Sequence, residues 1–143
     1  MKRGKNGFTL AELLIVVAII AVLVAVAIPV FASRLEKARE AVDLSNIRSA
    51  YAIMQMSVMT GTAPDGNEWP EEHPMYFYTN AGAFQRYTYG TPIDASAAYQ
   101  LKSNDVELPD FIAVNDASGW KDCVIMITFN EDHSQAFMYT WPL

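Results

Sequence analysis

The chain has 143 residues, enough for one small globular domain beside a single apolar helix and too few for two domains. Its formal net charge of -6 is split unevenly: Lys2, Arg3 and Lys5 lie in the first seven residues, which leaves seven bases against sixteen acids from residue 8 onward. So acidic a body lacks the basic surface that attracts phosphate, which excludes a general nucleic-acid binder, and a single cysteine, Cys123, excludes an intramolecular disulfide.

The first element begins with a basic segment, Met1-Lys2-Arg3-Gly4-Lys5-Asn6-Gly7, followed by Phe8-Thr9-Leu10-Ala11-Glu12. From Leu13 to Ala32 no side chain is charged or strongly polar. A helix of that length rises about 30 Å, the thickness of a bilayer's hydrocarbon core. A lone carboxylate at the entrance of such a helix costs a few kcal/mol if it goes deep, so Glu12 needs a partner. Cutting after Gly7 would supply one, because the new ammonium group at Phe8 could meet the Glu12 of a neighbouring copy.

These residues resemble the amino-terminal signature of type IV pilins and pseudopilins. The likeness lies in the basic leader ending in Gly7, in Phe8-Thr9-Leu10, in Glu12 at the fifth position after the cut, and in Leu13-Leu14-Ile15-Val16-Val17-Ala18-Ile19-Ile20. It covers roughly residues 1–60, with two small departures, Ala11 for a larger aliphatic residue and Ala21 for a frequent glycine. The resemblance implies removal of residues 1–7 by a prepilin peptidase and N-methylation of Phe8, which stays cationic. It also implies partners: further copies and related minor pilins in a helical filament, a membrane assembly platform and a cytoplasmic ATPase, with membrane lipid around the helix before assembly. Many pilins pin their carboxyl-terminal loop with a cystine, which one cysteine cannot form.

Plainer readings stand beside these. Val30-Phe31-Ala32 before Ser33 satisfies a secretory cleavage rule, although the apolar run is longer than a signal core and Glu12 interrupts its start. An uncleaved anchor is a further alternative. Lys/Arg counting ties, with three bases before the helix and Arg34, Lys37 and Arg39 after it. The prepilin likeness breaks the tie, with the amino terminus in the cytoplasm and the carboxyl-terminal domain outside. Thr9-Leu10-Ala11-Glu12 is also a capping-box pattern, compatible with pairing because a carboxylate accepts several donors. Phe8 can serve simply as an apolar anchor. Pro29 removes a helical hydrogen bond and crowds the Ala25 carbonyl, either kinking the helix or marking where it melts on packing.

Residues 33–60 continue the helix, free of glycine and proline until Gly61. Leu44, Ile47, Tyr51, Met54 and Val58 recur at intervals of 3 and 4, a covered face, while Glu36–Arg39 and Arg39–Asp43 sit at helical pair spacing. Ala38, Ala41, Ser45, Ala52, Met56 and Met59 form a second face, small enough near the membrane for another helix to approach, or simply an alanine-rich surface. A helix from Phe8 to Thr60 would span about 80 Å and could not be stable alone in water. Copies related by a rotation that does not close would make a filament.

Residues 61–143 form the head. Ala63-Pro64-Asp65-Gly66-Asn67 is turn chemistry, and short helices are expected to start at Asn80 and Asp94. The tyrosine-rich stretch here packs irregularly over the long helix, with glycan binding or subunit contact as the alternatives. Phe111–Asn115 reads as a short strand before an Asp116-Ala117-Ser118-Gly119 turn. Cys123–Asn130 and Gln135–Trp141 read as a hairpin joined by Glu131-Asp132-His133-Ser134, with the first strand covered on both faces. The expected fold class is α+β: a long amino-terminal helix, membrane-spanning below and amphipathic above, against a small antiparallel sheet.

His73 and His133 read as exposed loop histidines, and Cys123 as a buried thiol. Asp116, Asp122, Glu131 and Asp132 flank strand ends, where some pseudopilins hold calcium, but no EF-hand loop is present. No phosphate loop or nucleophile motif appears, so neither catalysis nor a cofactor or metal is expected. The site residues are therefore Gly7 and Phe8 at the cut, Phe8 for methylation, Glu12 with Phe8 for pairing, and Pro29 for bending or melting. A pilus subunit is the expected function. A pseudopilin of a type II secretion or DNA-uptake machine, and a signal-anchored monomeric surface protein, are the alternatives.

Overall fold

A computed structural model describes residues 7–70, 74–103, 109–110, 112–114 and 121–142. Residues 1–6 of the leader, His73, Phe111 and the expected turn at 116–119 with Asp116 lie outside the described residues. The elements are α1 (Leu10–Thr60), β1 (Met75–Tyr78), β2 (Phe84–Tyr87), β3 (Ile112–Val114), β4 (Cys123–Phe129) and β5 (Ala136–Pro142). The chain divides into two compact units, Met1–Glu36 and Lys37–Leu143.

Helix α1 starts and stops where its sequence says it must. At the start, the Glu12 amide donates to Thr9 Oγ1 at 3.3 Å and the Thr9 amide donates back to Glu12 Oε2 at 2.8 Å, a reciprocal capping box. At the end, Gly61 takes the left-handed conformation (φ 66°) that a side chain would disfavour, and its amide donates to the Ser57 carbonyl at 3.0 Å. Pro29 lies within the helix.

In the second unit the covered helix stripe is Asp43, Ile47, Ala50, Met54 and Ser57. This corrects the expected stripe: Ile47 and Met54 are shared, but Leu44, Tyr51 and Val58 flank it half-buried. The physical reason is close approach, since the small Ala50 and Ser57 let the sheet sit nearer the helix axis than larger side chains would. The second expected face, Ala38, Ala41, Ser45, Ala52, Met56 and Met59, is exposed throughout.

The sheet has five strands in the order β2-β1-β4-β5-β3. Strands β2, β1, β4 and β5 are antiparallel neighbours. The hairpin of β4 and β5 is in place, with Cys123 opposite Pro142 and Phe129 opposite Ala136. Strand β3 departs from the expected all-antiparallel sheet by pairing parallel to β5, Ile112 with Met138. No helix begins at Asn80 or Asp94. Asn80 sits in the turn between β1 and β2, where Gly82 (φ 78°) donates to the Thr79 carbonyl. Asp94 Oδ1 instead accepts from the Ser96 amide at 2.9 Å, a local turn that competes with helix.

Strand β4 is covered on both faces, as its unbroken apolar composition requires. Cys123, Ile125, Ile127 and Phe129 join Ile47, Ala50 and Met54 of the helix in one core, while Val124 and Met126 pack with Phe77 and Ala98 beneath Ile93 on the other face. Burying each large side chain contributes about 1.5–3 kcal/mol. Ile127 has no exposed surface: Ile127→Ala is expected to cost the head about 2–5 kcal/mol in urea unfolding, because the cavity cannot collapse between helix and sheet.

Candidate functional site

In the first unit, the region of interest is the start of α1. Phe8 is 83% exposed, and Phe8, Glu12, Leu13 and Val16 line one shallow apolar hollow. Glu12 Oε2 accepts from both the amide and the hydroxyl of Thr9, each at 2.8 Å, while Oε1 accepts no hydrogen bond among the described residues. The cap thus engages one carboxylate oxygen. Gly7 precedes the helix with nothing within 4 Å of where a Cβ would lie.

From Leu13 to Phe31 every large apolar side chain is exposed, among them Leu14 (64%), Leu23 (65%) and Val26 (65%). The helix is long and apolar enough to cross a membrane, and none of its most apolar window is buried by the chain itself. A surface of this kind, far beyond the apolar patches of ordinary soluble monomers, demands lipid or other protein.

The second unit holds a group that sequence reasoning missed. Asp43, marked in the sequence only by its helical pair spacing with Arg39, is fully buried. Its Oδ1 accepts from the Tyr99 hydroxyl at 2.7 Å, and its Oδ2 accepts from the amides of Lys102 at 2.8 Å and Ser103 at 2.7 Å. The carboxylate therefore clamps residues 99–103 to α1, and these in turn bridge the ends of β1 and β4 through Tyr99 to Tyr78 and Leu101 to Cys123. The available signal was spacing alone: Asp43 stands four residues before Ile47, on the stripe axis.

His133 also differs from an exposed loop residue: its ring stacks on Trp69 with centroids 3.9 Å apart. Asp132 is occupied locally, its Oδ1 accepting from the hydroxyl and amide of Ser134, which hold its carboxyl below the usual range. Cys123 is buried at the start of β4. Burial, then the charge of Tyr87, pushes the Tyr139 phenol from 10.0 up to about 12. The folded head keeps a proton that the unfolded chain releases above pH 10. Its stability should therefore be complete below pH 10 and fall as pH rises through 12, which alkaline unfolding followed by near-ultraviolet dichroism will check.

Residues 2–28 match the family model for the prokaryotic N-terminal methylation motif, the type IV pilin and prepilin-like signature. Together with the long apolar helix and the α+β head, this motif supports a type IV pilin-like or pseudopilin-type protein fitted for membrane anchoring. The motif implies processing by a prepilin peptidase and filament assembly with pilin partners. No match was found among curated proteins or among solved structures.

Proposed function

We propose that the chain is a structural subunit of a type IV pilus-like filament, cut after Gly7, methylated at Phe8 and assembled from the membrane. Before assembly it spans the bilayer once, with the head outside. On assembly each Phe8 ammonium pairs with the Glu12 of a neighbouring copy, so the acid leaves lipid as one member of an ion pair. The observation that carries this reading is the methylation motif over residues 2–28, followed by an apolar helix face that the chain does not cover. A single unpaired acid at the head of that face is costly in lipid and favourable once a cation arrives. Pro29, lacking an amide hydrogen, is where the helix bends or opens as copies pack. Related minor pilins, a membrane platform and a cytoplasmic ATPase complete the machine. A pseudopilin of a secretion or DNA-uptake apparatus would use the same chemistry over a shorter fibre.

Intact-mass measurement on membrane and sheared-surface fractions tests the proposal. Chains that begin at Phe8 and carry one methyl group are expected in both. Chains that begin at Met1 would mean a simple anchor, and chains that begin at Ser33 ordinary export; either would overturn it.

A further inference from the structure

On the face of the sheet away from α1, a cavity of about 320 Å³ lies between the strand edges and residues 87–95. Its walls are Tyr87, Thr91, Pro92, Ile93, Trp141 and Pro142, together with Ala95, and none of them is charged. We propose that this cavity is a binding site for a short neutral glycan, with one sugar ring stacked on the Trp141 indole. The site lies on the head and does not depend on filament assembly.

Four observations lead there. Trp141 lines the cavity and is 39% exposed. Tyr139 meets its ring edge-on at 6.4 Å and 75°, which favours this ring orientation. The wall opposite is preorganised: a turn from Thr88 to Thr91 places Gly90 at φ 84°, and Asp94 holds the Ser96 amide and hydroxyl at 2.9 and 2.6 Å. The rim hydroxyls are Tyr87 and Thr91, and Thr91 donates its proton to the Thr88 carbonyl at 2.6 Å, which leaves its lone pairs to accept from a ligand hydroxyl.

Size and charge then select the ligand. The volume is at the low end of ligand sites, about 300–1,000 Å³, so it takes one ring. Phe137, Tyr139 and Trp141 alternate onto one face of β5 and form a row about 13 Å long, along which further rings can lie. Phe137 in that row is 55% exposed. Without a basic or acidic wall, an anionic or cationic ligand would lose its hydration with nothing in return. A sugar offers what the walls ask for: an apolar ring face for the indole and hydroxyls for the rim.

The test uses the full chain, nitrogen-15 labelled, in dodecylphosphocholine micelles, whose head group is not a sugar. Methyl glycosides of glucose, galactose and N-acetylglucosamine are titrated while the indole N–H resonance of Trp141, assigned by its loss in Trp141→Phe, is followed. At least one is expected to shift it saturably, with a dissociation constant on the order of 1 mM. Trp141→Ala should weaken binding more than tenfold and Thr91→Val several-fold, while Met59→Ala, on the exposed helix face, leaves it unchanged. Should Trp141→Ala unfold the head, Trp141→Phe and Thr91→Val carry the comparison through ligand resonances in saturation-transfer spectra. Retention of the chain on beads bearing the same sugar marks a surface-borne glycan, and a solution shift without retention marks a free sugar. The proposal is overturned if no neutral glycoside acts at concentrations well above that constant, or if only sialyllactose or adenosine shifts the resonance. It is equally overturned if the resonance moves on protein dilution alone, which would show a second copy in the groove.

Discussion

Glutamine in place of Glu12 is expected to remove filaments from the cell surface, at least tenfold, while leaving the chain processed and helical. The substitution separates the capping seen in the structure from the pairing proposed for the same carboxylate. Glutamine at the third helical position can still accept from the Thr9 amide and keep the capping box. What it loses is the charge. Two unit charges about 4 Å apart interact by ~4 kcal/mol at an effective dielectric of 20, and each 1.4 kcal/mol is a factor of ten in assembly. Blotting of sheared fibres against membrane fractions reads the loss, and intact mass confirms that Phe8 is still exposed and methylated. Parental fibre yield from Glu12→Gln would mean that the cap is the acid's whole task. Thr9→Ala is the complement: it weakens the cap by about 0.5–2 kcal/mol and keeps the charge, so filaments should persist.

The head is expected to fail at Asp43 before any other single polar position. Asp43→Ala leaves three donors, the Tyr99 hydroxyl and the Lys102 and Ser103 amides, without their acceptor at a position that has no exposed surface. Each buried donor left unsatisfied costs about 1–3 kcal/mol, and together they are a large part of the 5–15 kcal/mol that holds small domains together. Tyr99→Phe removes a single bond to the carboxylate and should cost about 1.5–3 kcal/mol. Urea unfolding of the full chain in micelles gives both numbers. A midpoint for Asp43→Ala equal to the parent's would show that the clamp contributes nothing.

The lower helix was legible because composition alone decides it: no polar residue interrupts Leu13 to Ala32, and Thr9 and Gly61 are strong end signals. The β4–β5 hairpin was legible for a related reason, since β4 is too apolar for anything but burial on both faces. Elsewhere, tertiary contacts overruled local pattern. Hydropathy favoured Leu44, Tyr51 and Val58, but close packing placed Ala50, Ser57 and Asp43 at the interface. Strands β1 and β2 were hidden by their aromatic content, for Tyr76, Phe77 and Tyr78 are all apolar enough to lose the alternation that marks a half-buried strand. The parallel edge strand was invisible for a different reason, because pairing across long sequence separations leaves no local trace. The Trp141 cavity depends on two segments about fifty residues apart in sequence, and only the fold brings them together.

The placement of β5 between β4 and β3 has a consequence for biosynthesis. Ile112–Val114 emerges first and waits without its neighbour until Ala136–Pro142 follows. At ~10 residues per second that delay is about two seconds, long beside the microseconds in which a helix forms. In that interval the sheet keeps an open edge, and whatever shields it governs how much of the chain reaches the folded state.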